Sequence, residues 1–185
     1  MPKVFVIMAK GFEEMELVIT VDILRRAGVE VKTVSLDKTT EPVIGSRKIP
    51  IVPDETIDSV KAEDFDMMIL PGGAEGTERL GKDERVMAML KKFNKLDKPI
   101  AAICAAPTVV VKAGLGAGKT MTSHPSTEAG MTGAIYRQDR VVVDGKLITS
   151  RAAGTTFEFA FKIIEFLVGG EKVKEVNKGV LAHLP

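Results

Sequence analysis

The chain has little soft-ligand chemistry: one cysteine, two histidines, one tyrosine and no tryptophan among 185 residues. A single cysteine excludes an internal disulfide framework, and with only two histidines beside it no zinc cluster is expected. Cys104 is therefore inert filler, a reactive thiol or an intermolecular link. An excess of one charge is also missing. Lys plus Arg number 26 and Asp plus Glu 25, a formal net charge of +1, so no nucleic-acid face and no polybasic membrane tether is expected. Long apolar runs are absent too. The longest stretch without charge lies between Lys98 and Lys112; it is too short to span a bilayer and contains prolines. Val4 to Ala9, bracketed by Lys3 and Lys10, is shorter than a secretory h-region and reads as a buried first strand. The default compartment is the cytoplasm.

What is present is ordinary globular composition, 45% hydrophobic and 28% charged, in a chain long enough to bury a substantial core. No repeat, low-complexity tract or linker divides it, so residues 1–185 read as one domain. Strand-like apolar runs alternate with stretches of helical period. Val4 to Ala9 is the first strand. Glu14 to Gly28 is a helix with Leu17, Val18, Val21, Leu24 and Gly28 on one face and Gly28 as its stop. Val29 to Leu36 is a second strand, and Val43 to Val52 a short hairpin between Pro42 and Pro53. Asp66 to Leu70 is a buried strand ending in the turn Pro71-Gly72-Gly73. Asp83 to Leu96 is a helix with Val86, Met89, Leu90 and Phe93 inward. Pro99 to Ile103 is a strand, and Ala105 to Ala113 a helix. Strands Val141 to Val143 and Leu147 to Ser150 flank Asp144-Gly145, a hairpin signal. Phe157, Phe161, Ile164 and Val168 mark the apolar face of a long helix, and Glu171 to Leu184 a last one. This alternation predicts a mostly parallel sheet with helices on both faces. Sites on such sheets lie outside the carboxyl ends of the strands. Three strand ends thereby become candidates: the loop after Ala9, the Pro71-Gly72-Gly73 turn, and Cys104.

Ile100 to Pro107 reads as a strand turning directly into a helix with Cys104 at the apex, like the serine of a G-x-S-x-G elbow. Such a turn needs small residues two before and two after it, here Ala102 and Ala106. Pro107 suits a first helical turn. Backbone N–H groups and the dipole of a helix N-terminus stabilise a thiolate, so a lowered thiol pKa is expected if the cysteine is reactive. The competing reading is a small buried hydrophobe. Glu13 and Glu14 need no more explanation than a preference for the first turn of a helix. Glu16, between Met15 and Leu17, is placed for burial, where a carboxyl has a raised pKa and moves protons. Pro71-Gly72-Gly73 is either a simple turn or a source of bare N–H groups for an oxyanion hole.

Gly11-Phe12-Glu13-Glu14-Met15-Glu16, Leu70-Pro71-Gly72-Gly73, Ala101 to Pro107, Thr122-Ser123-His124-Pro125 and Thr149-Ser150-Arg151 with Gly154-Thr155 and Phe157 to Ala160 together resemble the ThiJ/PfpI superfamily. Within it they are similar to the parkinsonism-associated deglycase branch, over essentially the whole chain. The resemblance implies a flavodoxin-like three-layer sandwich and a homodimer. Cys104 would be the nucleophile and Glu16 its protonated partner, with Gly72, Gly73 and Ala105 around the oxyanion. His124 matches the family's nearby histidine. Arg26 and Arg47 match arginines near the site or its dimer partner, where they could hold an anionic group; taken singly, each also reads as a solvated surface charge.

Peptidase-like members place a histidine directly after the nucleophile, where this chain has Ala105. Glutaminase relatives need an acid two positions after a histidine, which neither His124 nor His183 has. Gly45 and Val52 stand where the deglycase branch carries further cysteines. The implied activity is a cofactor-free glyoxalase or deglycase acting on small dicarbonyls or their adducts with amines and thiols. A redox sensor or chaperone using oxidation of Cys104, or a cysteine peptidase, are the alternatives. Ala113 to Thr120 nearly fits a phosphate-binding P-loop, but it follows a helix instead of a strand and leads into Thr122 to Pro125. It reads as a glycine-rich loop, and nucleotide binding is not expected.

Overall fold

A computed structural model describes residues 1–183. In chain order the elements are β1 (Lys3–Met8), α1 (Glu14–Arg26), β2 (Glu30–Ser35), β3 (Val43–Ile44), β4 (Pro50–Ile51), β5 (Glu55–Thr56), β6 (Met67–Leu70), α2 (Ala74–Lys82) and α3 (Glu84–Lys95). There follow β7 (Ile100–Ile103), α4 (Pro107–Lys112), β8 (Thr120–Met121), β9 (Ile135–Tyr136), β10 (Val141–Asp144), β11 (Leu147–Ser150), α5 (Thr156–Val168) and α6 (Gly170–Val180). Seven strands form the main sheet in the order β10-β11-β7-β6-β1-β2-β5. All its pairings are parallel except β10 with β11. The order β2-β1-β6-β7-β11 is the flavodoxin-like winding, which reverses direction between β1 and β6 and opens a crevice there.

Strand alternation sorts the core into two layers. Phe5, Ile7, Met68, Leu70, Ile100 and Ala102 face the side covered by α2, α3 and α4. Val4, Val6, Met8, Met67, Ile69, Ala101 and Ile103 face α1, α5 and α6. Both faces of the central strands are covered, which is why they read as continuous apolar runs.

The 43–52 hairpin pairs Val43 with Ile51. The turn between β10 and β11 centres on Gly145 (φ +60°) and Lys146. Residues 113–119 form a loop between α4 and β8, with Gly114 and Gly118 at positive φ. Two helical faces differ from expectation. Val18 is 50% exposed, while Glu16, Thr20 and Ile23 join Leu17, Val21 and Leu24 inside. These buried residues span about 160° of the helix, and Val18 lies about 140° from the centre of that arc, on the outer face. Phe157 is exposed as well, and α5 buries Phe159, Ala160 and Ile163 with Phe161 and Ile164. Helix α2 has no counterpart in the sequence expectation, since its AEGTERLGK segment carries two glycines and little apolar pattern. The last helix ends at Val180; Leu184, its expected end, lies outside the described residues.

Candidate active site

Three loops meet at the carboxyl ends of β1, β6 and β7. Cys104 follows β7 with φ +63°, a left-handed conformation that costs a side-chain-bearing residue about 1–2 kcal/mol. Its N–H donates to Ser150 O (3.0 Å) and its carbonyl accepts from His124 N (2.8 Å). The positive φ breaks strand alternation, so Cys104 packs against the same α1-side core as Ile103 and remains half-buried. Ala102 and Ala106, the small flanking residues, are fully buried. A turn over Cys104–Ala106 precedes α4, which begins at Pro107 and spans six residues.

Glu16, in the first turn of α1, is 1% exposed. Its Oε2 accepts the Gly72 N–H at 2.7 Å, whereas Oε1 is buried without a hydrogen-bond partner. Gly72 owes its identity to crowding. A Cβ there would lie 2.6 Å from Cys104 Cβ and 2.8 Å from Glu16 Oε2. A Cβ on Gly73 (φ +92°) would lie 2.3 Å from Gly11 O. Removing both side chains lets the loop after β6 pass between the thiol and the loop after β1.

Electrostatics follow from this closeness. Burial raises the Glu16 carboxyl to about 7, against the opposing hydrogen bonds from Gly72 and with Cys104. Burial, then the charge of Glu16 and the hydrogen bond with it, push the Cys104 thiol up to about 12. This reverses the expected lowering: desolvation beside an acid outweighs the Gly73 and Ala105 N–H groups, which act on the sulfur and favour its anion. The six-residue α4, starting beyond the turn, adds little dipole field. The two groups therefore titrate as a unit, losing one proton near 7 and the second near 12.

The other expected residues are placed as follows. Gly73 and Ala105 present their N–H groups to the sulfur. The Gly72 N–H is committed to Glu16, which leaves Gly72 as a spacer and a support for the acid. His124 is tied to Cys104 through backbone, while its ring Nδ1 accepts from Ser126 N (3.2 Å) and lies 2.7 Å from Ser126 Oγ. The imidazole is not among the groups that set the ionisation of Cys104. Arg26 lies ten residues beyond Glu16, about 15 Å along α1, paired with Asp22 at the far end from the strand tips. Arg47 is exposed in the 43–52 hairpin, and its backbone N–H donates to Glu14 Oε1 at 2.6 Å.

Glu14 is a role the sequence reading missed. At 4% exposure its carboxylate accepts from Arg47 N, Ile49 N and Ser46 Oγ, latching the hairpin to the start of α1. Gly45 leaves no room for a side chain at this latch, since a Cβ would lie 2.3 Å from Glu14 Cδ. These partners are more than thirty positions away in sequence, so no local signal marks them. Among the described residues no group of three His, Cys, Asp or Glu side chains is arranged to hold a metal, and no helix is long and apolar enough to cross a membrane. Two clefts lie elsewhere, one of about 520 Å³ along α1 from Leu17 to Arg26, the other of about 820 Å³ among β10, α5 and α6. Neither includes Cys104.

A flavodoxin-like α/β sheet with a strained cysteine and a buried carboxyl at its strand tips defines the class. The chain belongs to the DJ-1/PfpI family, whose profile matches residues 2–166. It is 46% identical over 178 residues to the protein dj-1beta of Drosophila melanogaster, covering 95% of each chain. The crystal structure of that fly protein superimposes with a TM-score of 0.94 over 99% of both chains. The glutathione-independent glyoxalase DJR-1.2 of Caenorhabditis elegans is 39% identical over 168 residues, 90% of this chain and 88% of its own. The structure of oxidized DJ-1 from Toxoplasma gondii is 36% identical and matches with a TM-score of 0.94 over 100% of both chains.

Proposed function

We propose that the protein is a cofactor-independent glyoxalase or deglycase that acts on methylglyoxal-type dicarbonyls, or on their adducts with amines and thiols, through Cys104. The observation that carries this reading is a strained thiol beside a buried carboxyl at the strand tips, burial raising the proton affinity of both. The similarity to a glyoxalase of C. elegans supports it. Once Glu16 has ionised, the pair holds one proton, on the thiol, and Glu16 accepts it as Sγ adds to the aldehyde carbon. The Gly73 and Ala105 N–H groups support the oxyanion of the resulting hemithioacetal. Glu16 passes the proton it took from the thiol to that oxyanion and becomes a carboxylate again. It then removes the hydrogen on the same carbon as a proton and returns it to the neighbouring carbonyl carbon, while the hydroxyl proton moves to that neighbour's oxygen. The first carbon is oxidised by two electrons and the second reduced by two, so no external electron carrier takes part. Water attacks the lactoyl thioester, the C–S bond breaks, and lactate leaves with the thiol restored. A hemithioacetal or aminocarbinol adduct first releases its thiol or amine as the aldehyde re-forms, and Cys104 then adds to that aldehyde.

Lactate formation from methylglyoxal by the wild type, Cys104→Ala and Glu16→Gln tests this. The expected result is background rate for Cys104→Ala and a loss of at least about 100-fold for Glu16→Gln. Equal rates in all three would end the reading. Similarity to an oxidized relative supports a second use of the same thiol, as a redox sensor. Two equivalents of peroxide would convert Cys104 to a sulfinate, each being reduced to water, with the Gly73 and Ala105 N–H groups on the new oxygens. Intact mass after mild peroxide decides it; no stable two-oxygen adduct on Cys104 would remove it.

A further inference from the structure

Glu16 Oε1 and Thr20 Oγ1 are both buried without a hydrogen-bond partner. They stand one turn apart on α1, each on a residue 1% exposed. Residues four apart on a helix have Cβ atoms about 5–6 Å apart, and side chains lean toward the helix N-terminus, so Thr20 leans toward Glu16. A buried helical threonine ordinarily satisfies its hydroxyl on the carbonyl four residues back, which is Glu16's own; Thr20 does not. One water hydrogen-bonded to both would satisfy the two orphan oxygens, and leaving both unsatisfied would cost about 1–3 kcal/mol each. We propose that Glu16 and Thr20 hold a single buried water between Oε1 and Oγ1, making Thr20 a positioning residue for the proton that Glu16 exchanges with Cys104.

The water would donate to Oε1 when Glu16 is ionised and accept from it when Glu16 is protonated, with the rotatable Thr20 hydroxyl reversing its own role to match. The other charged groups here are Glu13, whose charge opposes ionisation, and Cys104. Helix α5, packed on α1, contributes Phe159, Ala160 and Ile163 to the shared core, and its charged Glu158, Lys162 and Glu165 are occupied in surface pairs. Among the described residues no other charge acts on the Glu16 carboxyl.

This inference rests on the role given to Glu16 above, but its test needs no turnover. Alkylation of Cys104 by iodoacetamide needs the thiol proton removed, and ionised Glu16 is the base beside it, so the rate against pH reports the ionisation of Glu16, with a wild-type midpoint expected near 7. Thr20→Val is isosteric and removes only the hydroxyl. It is expected to raise the midpoint by about one pH unit, the loss of one hydrogen bond to the anion, while Thr20→Ser keeps the wild-type midpoint. An unchanged midpoint in Thr20→Val, or an equal shift in Thr20→Ser, overturns the proposal. Should Thr20→Val fail to fold, Thr20→Ala against Thr20→Ser gives the same contrast.

Discussion

Glu14 and Glu16 stand two residues apart on one helix, both closed off from solvent, and they ionise in opposite senses. Burial alone would raise both. At Glu14 the N–H groups of Arg47 and Ile49 and the hydroxyl of Ser46 outweigh it and hold the carboxyl below its usual range. At Glu16 one N–H from Gly72 and the hydrogen bond with Cys104 do not, and the group rises to about 7. The helix and the residue type are shared and neither side chain is open to solvent, but Glu16 lies deeper in the protein and has fewer donors. A carboxylate with a full set of donors is a structural anchor, whereas one left short of them is a proton carrier.

The largest effect expected from breaking this contrast comes from Glu14→Ala. It strands the Arg47 and Ile49 N–H groups and frees the hairpin, costing about 3 kcal/mol at pH 7, measured by urea unfolding. A loss below about 1 kcal/mol would show that water replaces the latch. A comparable but pH-dependent effect belongs to Glu16. Its folded pKa is raised, so the folded state binds the extra proton between about 4.5 and 7, and stability falls as pH rises through that window. The shift corresponds to about 3 kcal/mol. Wild type should therefore lose about this much against Glu16→Gln between pH 4.5 and pH 7, and parallel curves would refute the raised pKa. Glu14 has the opposite sign: its pKa is lowered, so its stabilisation is present above the unfolded value of 4.5 and fades as pH falls. The smallest effect is Ser46→Ala, which removes one hydroxyl from Glu14 and Glu13. It should cost about 1 kcal/mol in stability and leave the Cys104 alkylation midpoint where it was. A moved midpoint would join the latch and the thiol site into one electrostatic unit.

Much of this architecture was legible along the chain. The apolar runs at Val4–Ala9, Asp66–Leu70 and Pro99–Ile103 became the central parallel strands because strands covered on both faces must be apolar throughout. The small residues around Cys104 and the Pro107 start marked its turn, and Glu16 between Met15 and Leu17 is buried as expected. What failed has a common cause. Helix α2 was invisible because Gly76 serves close packing, its Cβ position lying 2.8 Å from Phe12 N, and glycine lowers helix propensity. Val18 and Phe157 were assigned inward because they are apolar. Which apolar residues go inside depends on how each helix is rolled against the sheet. Arg26 stands apart from these: matched to an arginine near the site or its dimer partner, it lies on its own chain far from the strand tips and pairs with Asp22.

By itself the sequence determined the period of each segment, and with it the parallel sheet, the order of its layers and the presence of one thiol at a strand-to-helix turn. Tertiary structure decided the chemistry of that thiol. Ionisation is set by distances between groups more than fifty positions apart: Gly72 N–H on Glu16, and Glu16 beside Cys104. Periodicity reports which face of an element is apolar; the local dielectric and the count of donors around a charge exist only once the loops have met.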